Sequence, residues 1–199
     1  MKLFWYPNTR AARALWMLEE TGLEYEPVLI NLRDPAAKEN PDFLAASPMG
    51  KVPALTDGDA RMADSAAICL YVADRYATEF APATDDPRRA TFLFWMFYGS
   101  GAMEPAMAQK MGGWESNRQA HGWGDYELMI ETLENGLKDK EWLLGEQFTA
   151  ADVMVGSTAN FMRLFGIMPD GSQINAYVDR CLARPAYQRA LAMNAETQA

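Results

Sequence analysis

The chain has 199 residues, of which 49% are apolar and 23% charged, a composition that excludes a disordered or fibrous protein and allows one compact body or two small joined domains. The net charge of −9 excludes nucleic acid and anionic membrane as partners, because both need a basic surface to neutralise phosphate. Neither half is a basic module: residues 1 to 80 carry 8 basic and 12 acidic side chains, and the remainder carry 10 and 15. The only cysteines, Cys69 and Cys181, both fall in helix-like stretches and do not make a disulfide framework, which fits a reducing compartment. The apolar run Leu3–Tyr6 is too short for a signal peptide, and the densest apolar stretch, FLFWMFY at 92 to 98, is too short to cross a bilayer. The expected location is the cytoplasm.

In chain order, KLFWY at 2 to 6 reads as a short buried strand stopped by Pro7 and Asn8, and the following segment has helical composition up to Gly22, a suitable left-handed cap. YEPVLINL at 25 to 32 carries a β-branched run, so strand, helix and strand make a βαβ unit with a right-handed parallel crossover. Residues 35 to 46 form a weaker helical patch, and a new strand begins at Pro53 after SPMGKV. Asp57, Gly58 and Asp59 signal a hairpin between PALT and ARM, so the third and fourth strands are antiparallel neighbours. Asp64 and Ser65 open a helix with Ile68, Val72 and Tyr76 at helical spacing. The order is βαβαββα.

Periodicity is lost and Pro and acid accumulate in ATEFAPATDDP at 77 to 87. The expected organisation is therefore a first domain over 1–78, a linker over 79–86 and an all-helical domain over 87–199. Helical patterns in the second half run over about 88 to 109, 123 to 139, 149 to 165, 171 to 183 and 185 to 194. FTAAD at 148 to 152 places Thr149 and Asp152 as a capping box at a helix start, with Phe148 and Val153 as its staple pair.

Three short segments carry candidate chemistry. Asn8, Thr9 and Arg10 stand at a strand-to-helix turn, where free N–H groups and the helix dipole either stabilise an anion or thiolate or form an ordinary N-cap. In KVPAL, Pro53 follows an X–Pro bond of either isomer, and a cis bond exposes the preceding backbone to a ligand. Asp64 and Ser65 meet a helix N-terminus, as a cap or as receptors for the ammonium and carboxylate of an amino-acid-like ligand. His121 is the only histidine and no Cys or His stands at ligand spacing, so no metal site is expected. Walker, G-x-S-x-G and G-x-G-x-x-G motifs are absent, which sets aside nucleotide and hydrolase chemistry.

The order βαβαββα, the KVPAL turn, Asp64–Ser65 and the FTAAD box together resemble the soluble glutathione transferase superfamily over essentially the whole chain, as a bacterial-like member. The resemblance implies a thioredoxin-like α/β first domain, an all-α second domain and glutathione as co-substrate. It assigns the Val52 backbone to the cysteinyl part of glutathione with Pro53 as the cis residue, Lys51 to the glycyl carboxylate, and Asp64 and Ser65 to the γ-glutamyl end, with Arg10 also in the binding set. Members of that family activate the sulfur with a Tyr, Ser or Cys near the first strand's end. Here Trp5, Asn8 and Arg10 stand at about those places, which leaves Asn8 and Thr9, and less directly Tyr6, as donors. The implied reaction is transfer of glutathione to a small hydrophobic electrophile by a homodimer, the alternatives being a glutathione-dependent disulfide reductase or peroxidase, or a non-catalytic binding module. The electrophile's wall is expected from Phe97, Tyr98, Met103, Met107, Met111 and Trp114, although each of these residues taken singly reads first as a core or dimer contact.

Overall fold

The computed structural model describes residues 1–196. Its elements are β1 (Lys2–Trp5), α1 (Ala11–Thr21), β2 (Glu26–Leu29), α2 (Pro41–Ala46), β3 (Ala54–Asp57), β4 (Ala60–Ala63), α3 (Ser65–Tyr76), α4 (Arg88–Tyr98), α5 (Glu104–Gly112), α6 (Tyr126–Leu137), α7 (Ala150–Leu164), α8 (Ile174–Leu182) and α9 (Pro185–Glu196). Met1–Ala77 with the segment from Arg184 onward form one compact unit, and Thr78–Ala183 form the other.

The first unit is a four-stranded mixed sheet in the order β2-β1-β3-β4. β1 runs parallel to β2, with Phe4 opposite Val28, and antiparallel to β3, with Leu3 opposite Leu55. Gly58, at φ +57°, turns β3 into β4, with Asp57 opposite Ala60, as the Asp-Gly-Asp signal predicts. Leu3, Phe4 and Trp5 are all buried, so β1 is covered on both faces and its sequence shows no polar alternation. Phe4 meets Phe43 of α2 with ring centroids 5.7 Å apart, while α1 and α3 pack against each other. The thioredoxin-like βαβαββα order is the one read from the sequence.

Local chemistry sets two boundaries differently from the expectation. β2 stops at Leu29 instead of running to residue 32: Ile30 N–H to Trp5 C=O at 2.9 Å is the last bond shared with β1, after which the Asn31 side chain accepts Arg33 N–H at 3.0 Å and turns the chain out of the sheet. The helical patch at 35 to 46 splits into a 3₁₀ turn, Ala36–Glu39, and α2, because Asn40 caps a new helix by accepting the N–H groups of Asp42 and Phe43.

α9 was expected to close the helical domain, yet its contacts are with α1. Arg184 forms a two-pronged pair with Glu20, at 2.5 and 2.8 Å, and Arg189 pairs with Glu19 at 2.8 Å. Tyr187 stands edge-on to Trp16 with centroids 5.1 Å apart. These partners lie more than 160 residues away in sequence, so no local pattern announces them.

The second unit is helical, and α7 is its core, with 11 of its 15 residues buried, Asp152, Ser157 and Thr158 among them. The expected single helix over 88 to 109 is interrupted by a π-helical turn, Gly99–Met103, between α4 and α5. At Gly99 a Cβ would lie 3.2 Å from Met154 O and 3.1 Å from Thr158 Oγ1, so α7 presses against the backbone there. Pro105, in the first turn of α5, has no N–H to continue the ladder. The capping box is present at α7: Asp152 accepts the Thr149 N–H at 2.9 Å and its hydroxyl at 3.0 Å. The expected wall residues divide, with Tyr98, Met103 and Met107 in the core and Phe97, Met111 and Trp114 at least half exposed. Among the described residues no helix is long and apolar enough to cross a membrane, and no cluster suits a metal ion.

Candidate functional site

The site residues named from the sequence all lie at the C-terminal end of β1, the start of β3 and the start of α3, and they line two concavities of the first unit. Arg10, Lys51, Val52, Pro53, Asp64 and Ser65 converge on one, of about 380 Å³. Tyr6, Asn8 and Thr9 line a second, of about 750 Å³. The β1–α1 turn separates the two: Thr9 faces the second and Arg10 the first.

In the first concavity the Val52–Pro53 bond is cis. β3 pairing begins only at Ala54, and no hydrogen bond involves the Val52 backbone among the described residues. The preceding loop is held by Ser47, whose hydroxyl donates to Lys51 C=O at 2.7 Å and accepts Lys51 N–H at 3.0 Å, while Gly50 takes φ +62°. Asp64 sits at φ +81°, a region costly by about 1–3 kcal/mol for a residue with a side chain, yet it caps α3 by accepting Ala66 N–H at 2.7 Å and Ala67 N–H at 3.2 Å. Its second carboxylate oxygen is left to the concavity. Ser65 donates its hydroxyl to Arg10 C=O at 3.3 Å, which ties the start of α3 to the start of α1, and the Ser65 N–H at the helix N-terminus has no partner among the described residues. The floor therefore offers one carboxylate, two cations at Arg10 and Lys51, and free main-chain groups at Val52 and Ser65, a donor and acceptor set matched to a small zwitterionic peptide.

At the turn itself Asn8 adopts φ +56°. Thr9 donates its hydroxyl to Tyr6 C=O at 2.6 Å and accepts Ala11 N–H at 3.2 Å, so this side chain is committed to capping and holding the turn. Asn8 is exposed and its carboxamide makes no hydrogen bond among the described residues. Cys69 is fully buried, and burial pushes its thiol up to about 12 despite the nearby Arg13, so it is no nucleophile. Neither Cys69 nor Cys181 is in a disulfide.

Residues 1–74 match the family model described as glutathione S-transferase, N-terminal domain, and residues 116–180 match glutathione S-transferase, C-terminal domain. The chain belongs to the glutathione S-transferase superfamily. It is 29% identical to "Glutathione S-transferase 3" of Zea mays, over 96% of this chain and 93% of that one. It is 26% identical to "Disulfide-bond oxidoreductase YfcG" of Escherichia coli (strain K12), over 76% of this chain and 75% of that one. Among solved structures, a glutathione transferase family member from Pseudomonas fluorescens, with two glutathione bound, superposes with a TM-score of 0.77 at 25% identity, covering 96% of this chain and 91% of the other.

Within this superfamily member, sequence reading missed Ser47, Pro48 and Met49 in the first concavity and Leu29, Asn31, Leu32 and Arg33 in the second. The SPMGKVP run carried a signal for the first group, since two prolines around a glycine mark a rigid loop. The second group read only as the tail of a strand, and nothing local placed it beside the β1–α1 turn.

Proposed function

We propose that the protein is a glutathione transferase that activates the glutathione thiol for attack on a small hydrophobic electrophile. The reading rests on the convergence of Arg10, Lys51, Val52, Pro53, Asp64 and Ser65 on one concavity. Asp64 takes the α-ammonium of the γ-glutamyl end and the Ser65 N–H takes its carboxylate at the positive end of α3. The unpaired Val52 backbone takes the cysteinyl amide, and Lys51 and Arg10 balance the remaining negative charge. The sulfur lies at the β1–α1 turn, where Asn8 Nδ2 and the free main-chain N–H groups are its donors, since the Thr9 hydroxyl is already spent on Tyr6. Thr9 thus becomes a positioning residue and Asn8 the preferred donor.

A thiol with a pKa near 8.5 is only about 3% thiolate at pH 7, and lowering that pKa by about two units is worth roughly 2.7 kcal/mol. One or two charge-assisted hydrogen bonds together with a helix dipole have that magnitude. The thiolate then forms a carbon–sulfur bond as the leaving group departs. The exposed Phe94 and Phe97, three residues apart on α4, support burial against a second copy, and two buried cysteines outside any disulfide support a cytoplasmic setting.

Calorimetric titration with glutathione, followed by the ultraviolet absorbance of the bound thiolate at neutral pH, tests the reading. Binding with thiolate absorbance and turnover of activated aryl halides supports it. The likeness to a disulfide-bond oxidoreductase favours a second reading, disulfide reduction through the same thiolate, which turnover of a glutathione mixed disulfide without aryl transfer would select. Binding without thiolate absorbance would select a non-catalytic module, and no binding would sink the site.

A further inference from the structure

The concavity on the far side of the β1–α1 turn has a composition unlike the rest of this acidic chain. Pro7, Leu29 and Leu32 give it an apolar side, Tyr6, Asn8, Thr9 and Asn31 a polar one, and Arg33 is its one charged lining residue. The loop that presents Arg33 is set by its own backbone, with Asn31 Oδ1 accepting Arg33 N–H and Asn31 C=O accepting Asp34 N–H, both at 3.0 Å. The neighbouring acid, Asp34, accepts Ala36 N–H at 2.9 Å and does not line the concavity. Among the described residues the Arg33 guanidinium enters no ion pair. On a protein of net charge −9, a cation so placed faces neither an internal partner nor a competing carboxylate across its own cavity.

We infer that Arg33 is a specificity-determining residue that selects electrophiles with an apolar body and an anionic substituent, such as an aryl or alkyl carboxylate. The inference rests on the transferase reading above. The apolar body lies against Leu29 and Leu32, the anion pairs with Arg33, and the reacting carbon points to the turn that carries the thiolate. The bonding change is a displacement: the sulfur's electron pair forms the carbon–sulfur bond, the leaving group departs with the pair from the bond that breaks, and the thiol proton is released to solvent. Arg33 touches neither the sulfur nor the leaving group, so its effect falls on recognition. Arginine suits the task because its planar fork matches both oxygens of a carboxylate.

The test needs no turnover. The full chain is titrated calorimetrically with glutathione, with the glutathione conjugate of a chlorodinitrobenzoate, and with the conjugate of its methyl ester. The wild type binds the acid conjugate about fivefold more tightly than the ester, the upper range for an exposed ion pair, and the preference narrows as salt rises. Arg33→Gln abolishes the preference, Arg33→Glu reverses it, and both variants keep the wild-type affinity for glutathione. An acid preference that survives Arg33→Gln, or one absent from the wild type, overturns this inference alone. Loss of glutathione affinity in Arg33→Gln overturns it too, by assigning the cation to the first ligand. Failure of the wild type to bind glutathione overturns the transferase reading and this inference with it.

Discussion

Replacing Asp152 by asparagine tests whether the helical unit depends on one buried carboxylate. Oδ1 accepts Leu143 N–H at 3.0 Å and the Tyr177 hydroxyl at 3.1 Å, and Oδ2 accepts Thr149 N–H at 2.9 Å and the Thr149 hydroxyl at 3.0 Å. Each oxygen holds one main-chain N–H. An asparagine has a single acceptor oxygen, so either orientation of its amide sets an NH₂ group against a main-chain N–H. The two hydroxyls can rotate and accept, but an amide N–H has no such freedom. One stranded buried donor costs about 1–3 kcal/mol, and the surviving bonds lose their charge assistance, which brings the expected loss to about 2–4 kcal/mol. For a chain of this size that lowers Tm by roughly 6–12 °C.

The loss also depends on pH. Burial outweighs the four donors and pushes the Asp152 carboxyl from 3.8 up to about 6. A carboxyl raised in the folded state favours folding fully below its unfolded pKa, and that contribution is lost as pH rises through the folded value. The protonated acid still accepts both N–H groups while its own proton turns to a hydroxyl, so it lacks the defect of the amide. The stability gap between wild type and Asp152→Asn is therefore widest near pH 4 and narrows through pH 6, by up to about 3 kcal/mol for a shift of about two units. Urea unfolding of both proteins across pH 4 to 8 measures it. A gap under about 0.5 kcal/mol at pH 4, where it should be widest, or one that widens with pH, would refute the reasoning.

Asp64→Asn keeps an acceptor for Ala66 and Ala67 N–H while removing the charge, so glutathione affinity should fall about tenfold or more while stability drops by less than about 1 kcal/mol. Calorimetry beside an unfolding curve separates the two, and equal affinities would remove Asp64 from the ligand. At Gly136 of α6 an added Cβ would lie 2.2 Å from Trp95 Cζ2 and 2.4 Å from its Cη2, so Gly136→Ala must displace the ring. The expected overpacking cost of about 1–3 kcal/mol exceeds the helix-propensity gain of about 1 kcal/mol, and a stabilised variant in denaturant titration would contradict that balance. Arg184→Ala leaves the buried Glu20 carboxylate without its cation and should cost about 2–4 kcal/mol. Hydrogen exchange should then quicken along α9, and unchanged protection there would show that the Arg189–Glu19 pair and the Tyr187–Trp16 contact suffice to hold the helix.

Several features of this chain are legible without coordinates because their causes lie within a few residues. Gly22 ends α1, Asp57-Gly58-Asp59 turns the hairpin, Asp64 caps α3 and the Thr149–Asp152 box starts α7, each through a bond or a backbone angle between near neighbours. The first concavity could be named from the sequence for a similar reason, since its residues sit at those same strand ends and helix starts. Even so, sequence alone left Thr9 and Asn8 equivalent, and only the hydrogen bond from Thr9 to Tyr6 C=O separates them.

What tertiary structure decided rests on contacts between distant segments. α9 joins the first unit because Arg184 and Arg189 find carboxylates on α1, and the helix after Arg88 breaks because α7 approaches the backbone at Gly99. Leu29, Leu32 and Arg33 meet Asn8 and Thr9 because β2 pairs in parallel beside β1 and ends at the same edge of the sheet. Composition and periodicity record which residues avoid water and how each short segment is capped. They do not record which buried surface meets which, because that depends on shape and pairing summed over the whole fold.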